Sequence, residues 1–104
     1  MDLKINAIGI VLLFGLAMSA QTQANDVFDK HCSSCHAGGG NIMNAAKGLS
    51  KENLDANGVN SVDKIKALVT DGKVPMPAFG KMLSAKEIEN VSAFVLKQAA
   101  TGWK

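Results

Sequence analysis

Residues 31–36 read His31-Cys32-Ser33-Ser34-Cys35-His36, and this short stretch decides the fold. Two thiols separated by two residues, with a histidine directly after the second, is the attachment pattern of a c-type haem. The spacing follows from geometry. Cys32 and Cys35 stand about one helical turn apart, so both sulfurs can face one side and close thioether bonds to two porphyrin vinyl groups. His36 then presents its imidazole to the iron. The chain has two cysteines, and this motif uses both.

Other chemistries for the same stretch fit less well. A thioredoxin-like dithiol needs a βαβ setting, and the sequence shows no strong strand pattern. A zinc site draws four ligands from separated segments, whereas His31, Cys32, Cys35 and His36 crowd into six consecutive positions. A disulfide between Cys32 and Cys35 would close too small a loop to stabilise much.

Outward from the motif, the first two dozen residues read as a leader. Lys4 sits in a short polar start, an apolar run extends from Ala7 to Met18, and small and polar residues follow. That run is shorter than the roughly 20 residues needed to cross a bilayer and matches a secretory signal. Residues 1–24 are therefore expected to be a signal peptide, cut after Ala24 with Thr22 and Ala24 in the recognition positions. A cut after Ala20 is the competitor and would leave a fuller first helix. Export agrees with covalent haem, which is installed outside the cytoplasm. The expected compartment is a thylakoid lumen or a bacterial periplasm, with no stable membrane insertion once the leader is gone.

Residues 25–104 make one domain, expected to be a monomer. At this size a hydrophobic core is marginal and a staple helps; a buried porphyrin supplies the missing apolar area. All 11 basic residues are lysine, and removing residues 1–24 takes one Lys and one Asp, leaving the formal charge at +2. That is too weak for nucleic-acid binding and suits transient, electrostatically steered docking.

The pattern is helical throughout, so the fold class is all-α, with about four helices around one covalently bound haem. Val27 and Phe28 lead a helix into the motif, with Asn25 or Asp26 as N-cap, and Gly38-Gly39-Gly40 breaks it. Ser50 caps a two-turn helix that Gly58 stops. Ser61 opens a third, with Val62, Ile65, Leu68 and Val69 on one face and Gly72 at its end. Ser84-Ala85-Lys86-Glu87 is a capping box for the longest helix, which carries Ile88, Val91, Phe94 and Val95 and ends near Gly102.

The iron needs a second axial ligand. His31 adjoins Cys32 and cannot readily reach the far side of the ring. Met43 follows His36 too closely to pass round the ring edge, and Met82 begins the approach to the last helix. Met76 lies between Pro75 and Pro77, which exclude helix and hold a loop able to cross the distal face. A His36/Met76 pair closes the iron to oxygen and raises its potential, which favours an electron carrier over an enzyme.

Cys32-Ser-Ser-Cys-His36-Ala-Gly-Gly, Val27-Phe28, Gly72-Lys73, Met76-Pro77-Ala78-Phe79-Gly80 and Gly102-Trp103 together resemble the cytochrome c6 family, small class I cytochromes c of algae and cyanobacteria. The resemblance spans nearly all of residues 25–104. It implies Cys32 and Cys35 as thioether sites of one haem c, with His36 proximal and Met76 distal. It further implies electron shuttling from cytochrome b6f to photosystem I in the thylakoid lumen. Three places depart from the family pattern. Leu68 stands where many members have Gln near the haem, Val74-Pro75 replaces a smaller, more polar pair, and Lys81-Met82 replaces a Gly-Arg pair associated with photosystem I docking. A c6-like or bacterial small cytochrome c donating electrons to a terminal oxidase or another redox partner is the alternative reading.

Overall fold

The computed structural model describes residues 20–104 of the chain; the apolar run from Ala7 to Met18 lies outside the described residues. Helix α1 (Ala20–Val27) runs without interruption into a π-helical turn (Phe28–Cys32) and a last α-helical turn, α2 (Ser33–His36). Short 3-10 turns follow at Ala37–Gly39 and Ala45–Lys47. Helices α3 (Lys51–Ala56), α4 (Val62–Asp71) and α5 (Ala85–Ala100) complete the order. Taking the first rod as one element, these are four helices, and the described residues contain no strand. The all-α expectation holds.

Side-chain caps set the starts of α3, α4 and α5. The Ser50, Ser61 and Ser84 hydroxyls accept from the backbone N–H of Asn53, Lys64 and Glu87 at 3.1, 3.2 and 3.0 Å. The Glu87 carboxylate returns a bond to the Ser84 N–H at 2.8 Å, which completes the capping box. Without these bonds the first turn of each helix would leave amide donors unpaired.

Helix α5 is the centre of the packing. Ile88, Val91, Val95 and Ala99 recur at helical spacing and are buried. Helix α1 packs against one side of α5 and α4 against another. Small residues occupy the tightest places: Ala24 on α1 is 1% exposed and Ser92 on α5 is 0% exposed. Among the described residues the Ser92 hydroxyl has no hydrogen-bond partner. Val27, Phe28, Leu54, Ile65, Val69, Phe79 and Leu83 join the same core.

The first helix differs from expectation. Asn25 and Asp26 are not N-caps, because the helix is already running at Ala20 and both residues lie in its interior. The physical reason is burial. Ala24 makes apolar contact a full turn before Val27 and Phe28, so the amphipathic stripe begins earlier than the conspicuous Val-Phe pair suggests.

Candidate functional site

Cys32 ends the π-helical turn and Cys35 lies one turn later in α2, both half-buried. Neither forms a disulfide. Burial pushes the Cys32 thiol up to about 11, so it stays protonated near neutral pH and lacks the thiolate that a redox dithiol must present. Burial therefore disfavours thiol exchange at Cys32, and the one-turn spacing is compatible with capping both sulfurs as thioethers.

His36 closes α2. Its Nδ1 lies 2.7 Å from the Gly40 carbonyl oxygen. A carbonyl can only accept, so Nδ1 carries the proton and Nε2 keeps its lone pair for a metal. Histidines that bind metals are oriented in this way, by a hydrogen bond through the other ring nitrogen.

The loop that supplies this carbonyl is tightly tied. Ile42 N–H donates to the Cys35 carbonyl at 3.0 Å, and Leu49 N–H donates to the Gly39 carbonyl at 2.6 Å. Asn41 Oδ1 accepts from the N–H of Met43 and of Asn44 at 2.9 and 3.0 Å. From α3 and its C-cap, the Asn53 and Asn57 amides donate to the Ala45 and Ala46 carbonyls at 3.0 and 2.9 Å. The repeated asparagines, short and able both to donate and to accept, are a signal that the sequence reading passed over.

Trp103 is the second omission. Helix α5 ends in a Schellman arrangement, with Gly102 N–H on the Ala99 carbonyl at 3.3 Å and Trp103 N–H on the Gln98 carbonyl at 2.7 Å. The turn throws the indole back across Phe28 and Phe94, with ring centroids 5.2 and 6.1 Å away. Its Nε1–H donates to the Leu49 carbonyl at 2.9 Å. The sequence marked Gly102-Trp103 as a terminus but gave no partner for it.

The distal candidate lies on the loop after α4. Lys73 and Met76 exchange backbone bonds at 3.0 and 2.7 Å, closing a tight turn with Val74 and a cis Pro75 at its tip. The proline-framed loop is thus a closed turn and then an extended run, pinned by Phe79 N–H to the Val69 carbonyl at 2.9 Å and Gly80 N–H to the Thr70 carbonyl at 3.1 Å. Gly72 lies beneath it at φ +69°, where an added Cβ would come within 2.7 Å of Ala78 N. Met76 is half-buried and packs on the core, whereas Met43 and Met82 are 66% and 60% exposed. His31 meets the Phe79 ring edge-on at a centroid distance of 6.0 Å, which joins the motif to the distal loop. Cys32, Met76 and the half-buried Leu49 border one core cluster.

This donor set fits a covalently held haem: two free thiols one turn apart, an imidazole with its Nε2 lone pair available, and a thioether on a loop tied to the same motif. Relatives of known family agree. The chain is 46% identical over 101 residues to a cytochrome c6 of Rippkaea orientalis, covering 91% of each protein. It is 53% identical over 78 residues to that of Aphanizomenon flos-aquae, covering 75% of this chain and 90% of the relative. The chain belongs to the cytochrome c6 family. The crystal structure of cytochrome c6 from the diatom Phaeodactylum tricornutum superposes with a TM-score of 0.75 at 44% identity, covering 78% of this chain and 95% of the other. Residues 19–95 also match the family described as cytochrome C oxidase, cbb3-type, subunit III. As a member of the cytochrome c6 family the protein carries one covalently attached haem c and acts as a c-type cytochrome electron carrier. No helix among the described residues is long and apolar enough to cross a membrane.

Proposed function

We propose that this cytochrome c6 holds its haem through Cys32 and Cys35, ligates the iron with His36 and Met76, and shuttles single electrons from cytochrome b6f to photosystem I in a thylakoid lumen. The observation that carries the ligand assignment is the His36 Nδ1–Gly40 contact at 2.7 Å, which leaves Nε2 available. The bound haem supplies a one-electron iron couple. His36, held by the Gly40 carbonyl, would offer Nε2 to the iron, and Met76 would offer a thioether from the distal loop. With both ligands supplied by the protein, oxygen or peroxide would find no open coordination position. Exposed Pro77 and Ala78 offer an apolar docking surface beside the motif, and Lys73 and Lys81 flank it to steer a transient partner.

The ligand assignment is tested by Met76→Ala. The variant is expected to lose the red-end absorbance band of methionine–iron bonding, bind carbon monoxide in the ferrous state and show a lower potential. Retention of the native spectrum by Met76→Ala, with its loss in Met82→Ala, would reassign the ligand.

A second reading makes the chain a periplasmic donor to a terminal oxidase. The match to the cbb3-type subunit III family and the Lys81-Met82 pair in place of Gly-Arg favour it. Rates of electron delivery to isolated photosystem I and to a cbb3-type oxidase, measured side by side, choose between the two.

The leader reading also stands as a proposal, with the cut falling between Ala20 and Ala24. The burial of Ala24 in α1 favours the earlier position, since a cut after Ala24 would discard a core residue. The intact mass of the exported holoprotein reads the position directly.

A further inference from the structure

We infer that Trp103 is a positioning residue for His36, acting through a chain of hydrogen bonds that crosses the loop between them. The inference rests on the reading of His36 as the proximal ligand. The Trp103 Nε1–H donates to the Leu49 carbonyl at 2.9 Å. The Leu49 N–H donates in turn to the Gly39 carbonyl at 2.6 Å. Gly39 is joined by its peptide bond to Gly40, whose carbonyl accepts the His36 Nδ1–H at 2.7 Å. The same indole lies against Gly39, which sits at φ +84°; an added Cβ there would collide with the ring. Trp103 therefore holds the acceptor segment twice, once by a hydrogen bond through Leu49 and once by direct contact.

What fixes Trp103 is remote from the loop. Its ring rests on Phe28 at the start of the π-helical turn and on Phe94 of α5, and its backbone is locked by the Schellman turn. The packing of the two terminal helices thus sets the position of a carbonyl in the loop after the motif. That carbonyl matters electronically. A strong acceptor on Nδ1–H raises the basicity of the ligating nitrogen, and a more electron-rich imidazole favours ferric iron. Loosening the acceptor weakens that donation and shifts the equilibrium toward ferrous iron.

Trp103→Phe keeps an aromatic ring and deletes the N–H. In the holoprotein it is expected to lower the ferric-to-ferrous ratio at fixed potential about threefold, a midpoint rise of about 28 mV for a one-electron couple. Hydrogen exchange at the Leu49 amide of the ferrous protein is expected to accelerate at least tenfold. An unchanged midpoint, with or without lower thermal stability, would reduce Trp103 to a packing residue and overturn the relay. Because this is the single tryptophan of the chain, benzothienylalanine can be placed at position 103, preserving the shape of the indole while removing its N–H. That variant decides the matter if Trp103→Phe does not retain haem: a raised midpoint supports the relay and an unmoved one rejects it. His36→Gln tests the underlying ligand reading separately, since a wild-type spectrum there would refute the ligand and not merely the relay.

Discussion

The two loops beside the haem motif are built in opposite ways. The proximal loop, residues 37–49, is bound by asparagine side chains of its own, by Asn53 and Asn57 of α3 and its C-cap, and by Trp103 of the C-terminus. The distal loop, residues 72–83, has a two-bond turn, two backbone bonds to the end of α4, and the buried rings and chains of Phe79 and Leu83. Val74 at its tip is 95% exposed. One side is held by side-chain hydrogen bonds from several elements, the other by backbone bonds to one helix and by apolar contacts. With His36 and Met76 as the proposed ligands, the arrangement predicts that compliance lies on the methionine side.

The covalent motif is where the comparison breaks most severely. Cys32→Ala with Cys35→Ala removes both proposed attachment points, and a domain this small is expected to depend on the porphyrin for apolar contact. The variant is expected to lose cooperative folding altogether. A haem-free thermal transition resembling that of the holoprotein would show that the proximal ties alone suffice.

Gly72→Ala attacks the distal side selectively. The backbone there has φ 69° and ψ 174°, a region essentially reserved for glycine that costs another residue about 1–3 kcal/mol, and the new Cβ would press on Met76, Pro77 and Ala78. Loss of the methionine–iron absorbance band well below the global melting temperature is the expected signature. Simultaneous loss of both would mean that the two loops do not differ in compliance.

Leu68→Gln probes the same side more gently. Leu68 is half-buried on α4, beside buried Val69, and the substitution restores an amide that many cytochromes c6 carry there. A raised potential is expected, because hydrogen bonding near a metal site tunes its electronics. An unmoved midpoint with stability lower by roughly 1–3 kcal/mol would identify Leu68 as packing alone.

The smallest effect belongs to α3, which braces the proximal loop. Hydrogen bonds from Lys51 and Asn60 hold the Asp55 carboxyl below its usual range, and Asp55 raises Lys51 in return. The folded value of Asp55 is depressed, so its stabilising effect is present above the unfolded value and fades as pH falls through the folded one. Asp55→Asn is expected to melt slightly below wild type at neutral pH and to converge with it in acid. The difference should shrink with salt as well, since the Lys51–Asp55 pair is exposed.

Legibility in the sequence follows the range of the interaction. The serine caps and the capping box act over three residues and could be read directly, as could the Cys-x-x-Cys-His spacing. Gly72 was read as a helix end, but its second task, lying under the distal turn, depends on contacts with Pro77 and Ala78 that no periodicity shows. The start of α1 was misplaced because Ala24 carries little hydrophobic signal, and its burial depends on the approach of α5. Trp103 was recognisable by its place after Gly102, whereas its acceptor on Leu49 lies 54 residues away. Local rules found the haem motif, and the packing of the chain ends determined how the loop behind it is held.

The Schellman turn at the C-terminus has a consequence for the order of events in biogenesis. A ribosome makes Cys32, Cys35 and His36 well before Trp103. The motif segment is therefore synthesised before its rear clamp is available. The loop is latched only when the indole of Trp103 has come to rest against Phe28 and Phe94.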